Sequence, residues 1–195
     1  MTPDAPATLD RAGIAARVPH RGRMCLLDRL LGWDAQAIEC SATGHADAAH
    51  PLRTASGLLA PAAIEYAAQA MALHGALLAR ATGVPATPGF LASARGVQLH
   101  RLRLDDLPVP APGETRSGAD PETGGNPRPA SGGSNAADAT DATNAGDPTA
   151  DELRIEAVRQ AGDAQQILYT FSVSHAGRAV ADGRTAVVLN TLLAP

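Results

Sequence analysis

The sequence predicts an α+β protein in which an antiparallel sheet wraps around one long central helix. Three observations lead there. The stretch Gly57 to Ala79 is apolar nearly all round and far too long for a strand. Four later segments alternate in the manner of strands, and the last three are separated only by the short turns "QAGDA" and "AGR". Aromatics supply only 3% of the 195 residues, so the core must be built from Leu, Val, Ile and Ala.

Taken in order, residues 9–18 ("LDRAGIAARV") read as a short helix that stops before Pro19, because a residue preceding proline avoids the helical region. Residues 24–44 read as a hairpin, with Asp34 and Ala35 at its connection. The loop 45–57 leads into a helix over about 59–80, closed by Gly83 with Pro85 just beyond. A long strand follows over 89–104, in which Gly96 marks a bulge or bend. Strands over 153–160, 165–175 and 178–190 complete a meander. One sheet around one helix leaves a sheet edge open, and dimerisation is the expected remedy.

Between Val109 and Leu153 the chain contains no Val, Ile, Leu, Met, Phe, Tyr or Trp. Such a segment cannot bury enough apolar surface to offset ordering, which costs about 1–2 kcal/mol per residue in backbone entropy. Residues 1–195 are therefore expected to form a single domain interrupted by a disordered insertion at about 110–151.

Composition removes several classes of function. A formal net charge of -4 gives no footprint for nucleic acid. The apolar stretch has the length of a membrane span, but it carries Pro61, Glu65, Gln69 and His74. An ionisable group at mid-bilayer costs a few kcal/mol, and alanine returns little of it. No second such stretch exists, so the helix is a buried one and no membrane span is expected. The start of the chain has no basic lead and apolar core, and two cysteines make no disulfide framework. A cytoplasmic protein follows, with Cys25 and Cys40 packed as small apolar groups. No spacing of Cys, His and carboxylates signals a metal site, and no glycine-rich phosphate loop occurs, so neither metal nor cofactor is expected.

The residue that the helix has to explain is Glu65. "VPHRGRMCLLDRLLGWD" (18–34), "GLLAPAAIEYAAQAMALHG" (57–75) and "PGFLASARGVQLH" (88–100) resemble the hotdog-fold 3-hydroxyacyl-acyl carrier protein dehydratases. Most similar is the bacterial branch associated with aryl polyene-type pigments. The resemblance covers about 9–107 and 153–190. It implies a hotdog fold, a homodimer or a heterodimer with another hotdog subunit, and an acyl carrier protein bearing a phosphopantetheine-linked substrate. It also implies that Glu65 acts with a loop histidine to remove water from a 3-hydroxyacyl thioester. His50, fifteen residues ahead of Glu65, takes the histidine's place, with His45 as second candidate.

The chemistry suits such groups. A base takes the proton beside the thioester carbonyl while an acid protonates the departing hydroxyl. A glutamic acid desolvated in an apolar helix is shifted toward its protonated form, as a donor near neutral pH requires. Gln69, one turn from Glu65 on the same face, is a substrate-binding candidate together with Arg53 and Gly57. If Glu65 were merely structural it would need a buried partner, and Gln69, Arg53 or His20 could serve. His20 is expected to pack the loop under the helix, His74 to be a satisfied core residue, and His100 and His175 to lie at the surface. The basic group Arg17, Arg21 and Arg23, helped by Arg101 and Arg103, could steer an acidic carrier protein. A catalytically silent hotdog subunit and a hotdog thioesterase are the competing functions.

Overall fold

The computed structural model describes residues 6–108 and 151–189. The insertion expected at about 110–151 falls, but for Asp151, outside the described residues. Seven strands form one fully antiparallel sheet: β1 (Leu9–Asp10), β2 (Arg29–Trp33), β3 (Ala37–Ala42), β4 (Gly89–Leu99), β5 (Leu153–Gly162), β6 (Gln166–His175) and β7 (Arg178–Leu189). Their spatial order is β1-β2-β3-β5-β6-β7-β4. A short helix, α1 (Arg11–Ala15), precedes β2, and the long helix α2 (Ala63–Thr82) runs across the concave face of the sheet. This is the hotdog arrangement.

Turn chemistry sets the register. The Asp34 carboxylate accepts from the backbone N–H of Gln36 and Ala37, both at 2.7 Å, closing the β2–β3 connection as an Asx turn. Asp163 repeats the device between β5 and β6, accepting from Gln165 and Gln166. Ala176 and Gly177 both adopt positive φ (49° and 75°), the backbone of a two-residue turn matched to the twist of β6 and β7. At Gly96 (φ 59°) the β4–β7 register slips, as the glycine anticipated.

Alternation then fills the core. Leu153, Ile155 and Ala157 of β5, Tyr169, Phe171 and Val173 of β6, and Ile38 and Cys40 of β3 are buried against α2. From the helix they meet Tyr66, Ala67, Ala70, Leu73 and Leu77. Removing a side chain such as Leu73 from this layer costs about 2–5 kcal/mol. Both cysteines are buried and free, and burial pushes the Cys40 thiol up to about 12. No helix among the described residues is long and apolar enough to cross a membrane.

Three boundaries differ from expectation. The first helix is confined to Arg11–Ala15, because Leu9 and Asp10 pair with β2 while the Asp10 side chain caps the helix through Gly13 N–H. Residues 24–28 are not strand. Their backbone is taken by Gln69 at Leu26 and by Ser41 at Asp28. β4 ends at Leu99, after which the chain turns to meet Leu58 and Leu59.

Candidate active site

Glu65 lies in the first turn of α2, where the positive end of the helix favours a carboxylate. Gln69, one turn later and fully buried, organises its surroundings. The Gln69 Oε1 accepts from Leu26 N–H at 2.8 Å, and its Nε2 donates to Met24 C=O (2.8 Å) and to Glu65 Oε1 (2.9 Å). One amide thus ties segment 24–26 to the helix and fixes the acid's rotamer. His20 Nε2 stands 3.1 Å from the same Glu65 oxygen. Among the described residues no hydrogen bond engages Glu65 Oε2, and the side chain keeps 32% of its surface. Within one chain the acid is not sealed in an apolar setting. Glu65 sits at the rim, held through one oxygen and open at the other.

The structure does not bring the loop histidines to this acid within one chain. His50 is buried with its Nε2 3.0 Å from the Tyr66 hydroxyl, and its Nδ1 accepts from Leu52 N–H at 3.2 Å. Accepting at Nδ1 places the proton of the neutral ring on Nε2, which donates to Tyr66. Burial lowers the pKa of His50, holding that neutral form. His45, also buried, faces Asp151 and His175. His175 is itself only 3% exposed, which corrects its assignment to the surface.

Arg53 and Gly57 belong to a different cluster, beside the start of α2. The Asp105 carboxylate, 1% exposed, accepts from Arg103 Nε at 2.9 Å and Nη2 at 2.8 Å, and pairs with Arg53 Nη1 at 2.7 Å. The Arg103 hydrogen bonds in the first place, with Arg53 adding to them, hold Asp105 well below the usual carboxylate range. Gly57 adopts φ 97°, and a Cβ there would stand 2.3 Å from Arg103 Nη2. It is a glycine because that guanidinium lies against its backbone. The cluster thereby fixes the loop that feeds α2. Asp105 carried no sequence signal, since an Arg-x-Asp triplet on a loop is ordinary surface composition.

The basic group is also largely committed. Arg17 donates to Gly13 C=O, Arg21 to the carbonyls of Ala15, Val18 and His20, and Arg23 to Asp47 and to Ala49 C=O. These guanidinium groups finish the turn after α1 and anchor the 44–50 loop, so an acidic carrier would meet them already engaged.

Comparison with known proteins adds to this geometry. A family model described as ApeP-like, ApeP dehydratase, matches residues 12–106. The fold matches a chain of the dehydratase heterocomplex ApeI:P from Xenorhabdus doucetiae with a TM-score of 0.63 and 16% identity, covering 92% of this chain and 91% of that one. The conserved protein PA5202 and a mutant of the thioesterase PA1618, both from Pseudomonas aeruginosa, align with TM-scores of 0.42 and 12% identity. They cover 80% and 83% of this chain and 82% and 79% of their own. No curated protein matches the chain.

Proposed function

We propose, from the match of residues 12–106 to the ApeP-like dehydratase family model, that the chain dehydrates 3-hydroxyacyl thioesters presented by an acyl carrier protein in aryl polyene-type biosynthesis, with Glu65 as the acid. The observation that carries this is the single free oxygen of Glu65 at the rim of α2, fixed in place by Gln69 and His20.

In the reaction a base removes the proton at C2 of the acyl group. The C–H electron pair becomes the C2–C3 double bond as the C3–O bond breaks, and the hydroxyl leaves as water carrying the proton of Glu65. Transfer of the proton from the base back to Glu65 closes the cycle. Gln69 is a positioning residue here, and so is His20, whose Nε2 is spent on Glu65 and whose Nδ1 is buried.

The base is best supplied by a second, different hotdog subunit. In this chain His50 is committed to Tyr66 and Leu52, and His45 to Asp151, so a second identical copy would bring equally occupied imidazoles. The strand β4 offers a surface for such a partner. Among the described residues it pairs only with β7, and Phe90, Leu91 and Leu99 along it are 47%, 37% and 46% exposed. The two-component character named for the Xenorhabdus doucetiae dehydratase heterocomplex supports the same arrangement. The competing assignment keeps His50, or failing it His45, as the base across a homodimer, and it requires these rings to leave their present partners.

Dehydration of a defined 3-hydroxyacyl carrier protein separates the two. The purified chain should be slow alone and fast with a second hotdog subunit, and His50→Ala should retain the rate of the pair. Full activity of the chain alone, abolished by His50→Ala, would establish the homodimer instead. Binding of acyl carrier protein without turnover under every combination would leave a silent subunit.

A further inference from the structure

Three side chains far apart in sequence meet where β3 has just ended, where β5 is about to begin and where β6 ends. His45 Nε2 lies 3.5 Å and His175 Nε2 lies 3.2 Å from the same oxygen, Oδ1 of Asp151. One donor atom from each of the three residues falls within 4.8 Å of the others. The two imidazoles stand edge to face with centroids 5.3 Å apart. Two ligand atoms about 2.0–2.1 Å from a tetrahedral ion are separated by roughly 3.3–3.4 Å. The 3.2 Å and 3.5 Å separations bracket that edge.

A second observation concerns what the protein leaves unfinished. His45 is 1% exposed and turns Nε2 to Asp151, while its buried Nδ1 has no hydrogen-bond partner among the described residues; Nδ1 is thus left to carry the proton of a neutral ring whose Nε2 serves as a ligand. Buried imidazoles ordinarily find partners at both nitrogens, as His50 and His74 do. Two imidazoles and one carboxylate are the borderline donors that suit zinc and its first-row neighbours, not the all-oxygen shells of magnesium or calcium.

We propose that His45, Asp151 and His175 form a three-ligand site for one divalent transition-metal ion, zinc by its donor set. Asp151 keeps 49% of its side chain exposed, so the fourth position opens to water. The ion joins the turn after β3 to the ends of β5 and β6, and fastens the chain at the residue where it returns to the sheet. None of the three ligands touches Glu65, His20 or Gln69. The site is thus independent of the dehydration chemistry in which a different subunit supplies the base, and either of these two assignments can fail without the other.

The test uses the full chain, stripped with a chelator and titrated with Zn2+ by calorimetry and with Co2+ by visible absorption. One equivalent should bind, Co2+ should show the strong d–d absorption of a four-coordinate ion, and Zn2+ should raise the thermal midpoint. Asp151→Asn alters a half-exposed side chain and should fold, with affinity lower by on the order of 100-fold or more, and His175→Ala should lose at least as much. Glu65→Gln should bind metal as the wild type does. No uptake at excess metal would mean that Asp151 simply accepts a proton from each ring, and the site would be withdrawn. Uptake unchanged by Asp151→Asn would assign the ion to the thiols or the surface and overturn the proposal equally.

Discussion

Glu65 and Tyr66 are neighbours in sequence and opposites in environment. On a helix one residue is a rotation of about 100°, and that rotation carries Glu65 to the rim and Tyr66 into the core. On the rim, Gln69 and His20 converge on one oxygen of Glu65 and leave the other free. In the core, His50 has both ring nitrogens bonded, to Tyr66 and to Leu52. Two turns further on, His74 repeats this, with Nε2 donating to Asp34 C=O at 2.9 Å and Nδ1 accepting from the Tyr169 hydroxyl at 3.1 Å. A polar group satisfied on every side is structure. A polar group held firmly and left one atom short is available for chemistry.

Exchanging the two neighbours tests the contrast most directly. Glu65→Gln keeps the shape and the Gln69 contact but removes the proton donor. It should lower the dehydration rate by about 10²–10⁴-fold with an unchanged thermal midpoint. Equal rates for variant and wild type in an active preparation would remove Glu65 from the mechanism. Gly57→Ala comes next. Its φ of 97° and the Arg103 guanidinium in the way should together cost about 3 kcal/mol, the upper end of the range for local strain, read by chemical denaturation. Tyr66→Phe deprives the His50 Nε2–H of its acceptor and should cost about 1–3 kcal/mol of stability while the rate stays within reach of wild type. A large loss of rate at full stability would instead draw the His50–Tyr66 pair into catalysis.

Smaller effects sharpen the same division. His20→Asn should slow the reaction roughly tenfold, the worth of one hydrogen bond to Glu65, and should displace the pH dependence of the rate. A rate change without any shift of the profile would make His20 merely a packing residue. The core histidines give the smallest signal. Burial lowers the pKa of His50 and of His74 below the ordinary value near 6.5. Below about pH 6.5 the unfolded chain therefore binds more protons than the native one, so stability should fall as pH falls and level off above that value. Thermal midpoints measured across this range check the slope, and Glu65→Gln should leave it unaltered.

The long helix was legible because Leu, Ala and Met continue all round it for five turns, and its end because Gly83 supplies the left-handed cap (φ 71°). The meander was legible because turn residues such as Asp163 and Gly177 do their work within three or four residues of chain. Gln69 was legible as a neighbour of Glu65, since one helical turn fixes that contact whatever the fold. His50 and His45 were not legible in the same way. A loop residue carries no periodicity, and its direction is set by whatever the fold presents, here Tyr66 in one case and Asp151 with His175 in the other. Asp105 escaped for the same reason, because its partners come from the loop before α2 and from its own segment.

By itself, the sequence determined an α+β chain with one buried helix, an antiparallel meander and a carboxylate near the start of that helix. These follow from periodicity, turn chemistry and the cost of burying charge, all of which act over a few residues. The tertiary structure decided which oxygen of Glu65 is free, which histidines are spent on the core, and that His45, Asp151 and His175 meet at all. Those outcomes depend on contacts between residues as much as 130 positions apart, from 45 to 175, and only the closing of the sheet around the helix brings such groups within bonding distance.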